Sequence, residues 1–97
     1  MKTITLNEIL KNKLDDKEFT ILYEKEEIKN KVAQMVIQLR QKEGLTQEEL
    51  AKRANTSQPV IARLERGTDS RIPSLELLNK IAHSLGRELE INFKAVK

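Results

Sequence analysis

Hydrophobic and polar positions alternate along this chain with two different periods, and the change between them divides it. Leu6, Ile9 and Leu10 form a short apolar stripe behind Thr5-Leu-Asn-Glu8, which has capping-box spacing, so residues 6–13 are expected to form a short helix. Phe19, Leu22 and Tyr23 share one face of a second short helix that Asp15 or Asp16 can cap. Ile28, Val32, Met35, Val36 and Leu39 then give the clearest helical period in the chain and an expected core face. Gly44 suits the end of that helix, with Arg40 and Lys42 near the negative end of its dipole. The pattern leaves open whether the helix over 19–23 runs into this one.

Thr46-Gln-Glu-Glu49 is a second capping box, opening a helix that reaches Ala54. Asn55-Thr56 reads as a tight turn, since Asn tolerates left-handed backbone. A further helix follows with Ile61 and Leu64 facing inward, stopping near Gly67, and residues 68–73 form a polar loop. Ser74 caps the next helix, whose Leu75, Leu78, Ile81, Ala82 and Leu85 keep helical spacing up to Gly86. Beyond it the period drops to two. Leu89, Ile91, Phe93 and Ala95 alternate with Glu88, Glu90, Asn92 and Lys94, which predicts one β-strand. A lone strand is unstable, so it must pair with a second copy, another segment or a bound partner.

Composition narrows the class. Ninety-seven residues fit one domain, and 34% charged residues with three Gly and two Pro suit a small helical protein. No Cys is present, which excludes a disulfide scaffold and favours a reducing compartment. The first thirteen residues lack a signal-peptide apolar run, and no segment approaches a membrane span, so a cytoplasmic protein is expected. Residues 1–30 carry six Lys against seven acids, whereas 31–97 carry twelve Lys or Arg against eight. An acidic front on a basic body points to different partners for the two parts.

The chemistry lies in residues 46–67. Two short helices joined by so tight a turn cross closely only where a small residue sits at the contact, and Ala51 supplies it. Leu50, Ala54, Ile61 and Leu64 fill the space beneath. Gln58, Pro59, Ala62, Arg63 and Arg66 are left on the outer face of the second helix. Gln can bond adenine bidentately and Arg can bond guanine bidentately in the major groove. Gln47, in the first turn of the preceding helix, lies beside free helix N–H groups and suits a phosphate contact. Pro59 fits a first helical turn, which allows Gln58 as N-cap with Pro59 following at the first helical position. His83 is the only histidine and falls off the apolar stripe, where a solvated helix residue is expected. No metal site, cofactor or catalytic constellation is expected: there is no second His, no Cys and no phosphate-cradling Gly loop.

The run Thr46-Gln47-x-Glu49-Leu50-Ala51, followed by Ser57-Gln58-x-x-Ile61-x-x-Leu64-Glu65-x-Gly67, closely resembles the Xre/phage-repressor class of helix-turn-helix domains. The likeness extends from about residue 28 to 86, with Asn55 where the class usually has Gly. It implies a phosphate anchor at Gln47 and base-facing positions at Ser57, Gln58, Pro59 and Arg63, with Arg66 beside them. The flanks, Asp16-Lys-Glu-Phe19 with Leu22-Tyr23-Glu24 and the run ending in Ile91, resemble HigA-type antitoxins. That resemblance implies autorepression of an operon and neutralisation of a RelE/HigB-like mRNA-cleaving toxin. Phe19, Leu22 and Tyr23 are expected either to pack on the helix over 28–39 or to face that toxin, whose basic surface the acidic arm suits.

The expected fold is therefore all-α, a repressor-like helix-turn-helix bundle of about five helices with one C-terminal strand. Residues 1–27 form a helical arm, 28–86 the DNA-binding domain and 87–97 the strand and tail. The expected partners are double-stranded operator DNA, a second copy of the chain in a homodimer, and the toxin. A free-standing regulator without a toxin is the alternative. A protein-binding inhibitor with a vestigial helix-turn-helix is the third reading, and the outward Gln58, Arg63 and Arg66 argue against it.

Overall fold

A computed structural model describes residues 17–67 and 71–96 of the chain. The helix expected over 6–13, the caps at Asp15 and Asp16, and residues 68–70 of the polar loop lie outside the described residues. Within them there are four helices and no strand: α1 (Lys17–Lys42), α2 (Gln47–Arg53), α3 (Gln58–Arg66) and α4 (Leu75–Ser84). Among the described residues no helix is long and apolar enough to cross a membrane.

α1 runs unbroken for 26 residues, so the apolar groups at 19–23 and 28–39 share one helix. The core face of α1 differs from the one its periodicity predicts. Ala33 and Val36 are buried with Lys29, while Ile28 is 46% and Met35 59% exposed. At about 100° per residue, the buried stripe is turned roughly 80° from the predicted one. The reason lies one turn further on. Arg40 belongs to this stripe and is fixed on Glu65 of α3, which sets the rotation of α1, and the small Ala33 permits close approach. Lys29 lies at the edge of the stripe with its ammonium on Glu26, 3.2 Å away.

α1 ends as predicted at Gly44, whose φ of 70° allows the Leu45 N–H to donate back to the Arg40 carbonyl at 3.0 Å. Leu45, which follows this turn, is itself buried. The core comprises Val36, Leu50, Ala51, Ala54, Ile61, Leu64 and Ile81, with Val32, Leu77, Leu78 and Leu85 packed against it. α2 packs on both α3 and α4, and α1 packs on α3. Ser74 caps α4 by accepting from the Leu77 N–H at 3.1 Å. Leu75, expected in the α4 stripe, is exposed, and Leu77 takes its place against the core. The strand expected over 89–95 does not form within the single chain: residues 87–96 make no ladder with any other described segment.

Candidate nucleic-acid interface

α2 is set by its cap. The Thr46 hydroxyl accepts from the Glu49 N–H and the Glu49 carboxylate accepts from the Thr46 N–H, both at 3.0 Å. The backbone N–H donated to it holds the Glu49 carboxyl below the usual glutamate range. The helix closes at Ala54, and Asn55 takes the left-handed turn with φ 55°. The Thr56 N–H then returns to the Ala51 carbonyl at 2.8 Å, so the four residues between the helices reverse the chain. With Ala51 buried at the crossing, α2 and α3 meet as the small-residue argument requires.

Ser57, not Gln58, is the N-cap of α3; Gln58 is the first helical residue and Pro59 the second. The missing N–H of proline costs nothing at either position, and the extended Ser57 backbone absorbs the turn. The Ser57 hydroxyl makes no capping bond and is exposed. Ser57, Gln58, Pro59, Arg63 and Arg66 are all exposed, with Ala62 half-buried between them. Among the described residues neither Arg63 nor Arg66 has an ion-pair partner. Arg63 also borders a small crevice with Lys29 and Arg71 at the end of α3.

Beneath this face runs a chain of polar contacts. Glu65, 9% exposed, receives the Arg40 guanidinium on both oxygens, Nε to Oε2 at 2.7 Å and Nη2 to Oε1 at 3.0 Å. Arg40 Nη1 donates to the Leu45 carbonyl at 2.8 Å, tying the α1–α2 turn into the same cluster. This pairing raises the Arg40 pKa above its ordinary range. Glu65 Oε1 also accepts from Gln47 Nε2 at 3.0 Å, and Gln47 Oε1 accepts from Gln58 Nε2 at 2.9 Å. An ionised carboxylate only accepts, so Gln47 must turn its nitrogen inward and its oxygen toward Gln58. Gln58 is thereby oriented in turn. Gln58 keeps its carbonyl and a second N–H beyond this contact, the kinds of group a bidentate base contact uses.

Periodicity alone brought out neither Arg40 as a structural residue nor Glu65 as a buried one. The only signal was a charged residue directly after the inward Leu64. At the other end, Leu22 is exposed, while Phe19 and Tyr23 are half-buried on the first half of α1, away from the α2–α3 face. The Tyr23 hydroxyl is held protonated above its usual range by its hydrogen bond with Glu27. His83 is exposed, as expected. Among the described residues no group of three His, Cys, Asp or Glu is placed to hold a metal ion.

Two short helices crossing at a small residue behind a four-residue turn, the second presenting polar and basic side chains outward, define a helix-turn-helix unit. The helix-turn-helix family matches residues 36–92, more than half of the chain, and the chain belongs to that family. It is similar to a protein of Methanothermobacter thermautotrophicus (strain Delta H) described as an uncharacterized HTH-type transcriptional regulator, with 53% identity over 45 residues. That match covers 46% of this chain and 62% of the relative, under two thirds of its length. No solved structure gives a significant match.

Proposed function

We propose that this chain is a DNA-binding transcriptional regulator of the Xre type that reads operator DNA with the outer face of α3. The supporting observation is the hydrogen-bonded chain from Glu65 through Gln47 to Gln58, beside the exposed Arg63 and Arg66, which have no ion-pair partner among the described residues. Gln58 and Arg63 are the base-reading residues, with Ser57 and Pro59 at the groove-facing end. Gln47 keeps one N–H beyond its bond to Glu65 and anchors a phosphate. Arg66 adds a backbone contact. One copy covers about half a site, so the regulator acts on a palindrome as a two-fold homodimer, and the reading requires no cofactor.

Selection from random duplexes defines the site, and titrations at fixed salt then test the roles. Gln58→Ala and Arg63→Ala should each lose about 1–3 kcal/mol on the selected duplex and little on a scrambled one, whereas Gln47→Ala weakens both evenly. Equal losses for Arg63→Ala on both duplexes would reduce it to a phosphate contact.

A second reading, as the antitoxin of a small basic RelE/HigB-like toxin, has one observation in its favour. The first half of α1, in the acidic front of the chain, exposes Ile21 and Leu22 beside half-buried Phe19 and Tyr23. An acidic segment with uncovered apolar side chains suits a basic partner.

A further inference from the structure

We propose that residues 87–95 are a dimerisation strand, pairing antiparallel with the same segment of a second copy about a two-fold axis at Ile91. Its partner is therefore another copy of this chain, whether or not the α3 reading above holds.

The segment starts from a fixed point. The Arg87 N–H donates to the Ala82 carbonyl at 2.8 Å, and its guanidinium lies 3.5 Å from Glu43. Beyond that anchor the backbone has no ladder partner among the described residues, and such an edge is a template for another strand. Leu89 is half-buried between exposed Glu88 and Glu90, so the odd-numbered face meets the protein only at its start. Further along that face Ile91 is 58% exposed and Phe93 fully so, apolar surface that one copy leaves uncovered.

Charges and apolar partners together narrow the pairing. A parallel, in-register arrangement sets Glu88, Glu90 and Lys94 each against itself. Antiparallel pairing with any odd offset sets apolar residues against polar ones, because a one-residue slip exchanges the faces. An axis at Glu90 places that carboxylate against its own copy. An axis at Asn92 also sets Glu90 opposite Lys94 and Ile91 opposite Phe93, but it leaves Leu89 opposite the small Ala95 and Glu88 opposite the apolar Val96. The axis at Ile91 sets Glu88 opposite Lys94 twice, Leu89 opposite Phe93 twice, Glu90 opposite Asn92 twice, and Ile91 against itself. Opposite charges and aromatic–aliphatic pairs are the cross-strand combinations that stabilise a sheet.

Because the chain has no cysteine, a single one reports its own symmetry mate. Directly opposed residues on antiparallel strands have Cα atoms about 4.5–5.5 Å apart, within disulfide reach. Full-length Ile91→Cys, without DNA and under mild oxidant, should form covalent dimer roughly tenfold faster than the exposed control Lys52→Cys, since pairing raises the local thiol concentration. It should also outpace Glu90→Cys and Asn92→Cys. In sedimentation, Phe93→Asp and Glu88→Lys should each weaken self-association several-fold, and Lys94→Glu added to Glu88→Lys should restore it. Circular dichroism checks that each variant keeps its helices. A rate for Ile91→Cys no greater than the control, a faster Asn92→Cys, or a charge swap that fails to restore association would each overturn the proposal. No arm uses DNA, so a failed α3 reading leaves the result interpretable.

Discussion

The two halves of α1 belong to one helix and have almost opposite surroundings. From Lys29 onward it is part of the bundle: Ala33 and Val36 are buried, and Arg40 grips Glu65 with both forks of its guanidinium. Before Lys29 no side chain is buried, and Ile21, Leu22 and Ile28 are exposed. Both halves carry apolar residues at helical spacing. The difference shows that periodicity makes the helix, while the rotation of its face is decided by what its far end must reach.

The strongest test of this contrast removes the best-buried side chain. Leu50 has no exposed surface, so Leu50→Ala should destabilise by about 2–5 kcal/mol, read from denaturant unfolding. The same truncation at Ile21 should do little. Equal effects would mean that the first half of α1 is covered in solution.

Next in size is the polar cluster that fixes the rotation. Glu65→Ala leaves Arg40 half-enclosed without its carboxylate and Gln47 without its acceptor. The expected loss is about 2–4 kcal/mol, below the range for a fully buried pair because the Arg40 side chain keeps 16% of its exposure. Operator affinity should fall further than stability accounts for, since Gln47 and Gln58 lose their orientation. If Glu65→Ala unfolds the chain less but binds the selected duplex normally, the relay to Gln58 carries no reading role.

These two cases mark what the sequence made legible. The α2–α3 unit could be read because every determinant is local: a capping box at Thr46, a left-handed Asn55, a small Ala51 and inward Leu50, Ile61 and Leu64. The rotation of α1 could not, because it depends on Arg40 meeting Glu65 across 25 positions. Met35 and Ile28 belong to a regular stripe that the ion pair turns aside, and in α4 Leu77 rather than Leu75 meets the core. The outward placement of Gln58, Arg63 and Arg66 followed from inward Ile61 and Leu64. The bond from Gln47 to Glu65 did not, since it again joins distant positions. The alternation over 89–95 predicts a strand, but a strand requires a ladder partner that no other described segment supplies.

A smaller effect belongs to the cap. Thr46→Ala should cost about 1 kcal/mol, with the loss confined to α2 in hydrogen exchange. The carboxylate of the same box gives a pH dependence. The Glu49 pKa is lowered in the folded chain, so its contribution is full above the ordinary glutamate range and is lost as pH falls through the lowered value. The stability advantage of the native chain over Glu49→Gln should therefore shrink on acidification. An advantage that grows instead would mean the carboxylate is not held by the cap.

The smallest expected effect tests the other half of α1. Leu22 is 60% exposed and contributes no contact to the core, so Leu22→Ser should change unfolding free energy by less than about 0.5 kcal/mol. It should also leave affinity for the selected duplex unchanged, because the α2–α3 face is built from other residues. A loss well above that bound would show that this face is covered in solution and that the contrast between the halves of α1 is only apparent. With stability and duplex binding both unchanged, the same variant isolates the remaining role of the segment. Capture of a purified RelE/HigB-like toxin encoded beside the gene should then fall for Leu22→Ser under the antitoxin reading. Undiminished capture would take Leu22 out of the toxin surface and move that surface to the bundle or the C-terminal segment, whereas no capture by the native chain would leave the free-standing regulator as the better account.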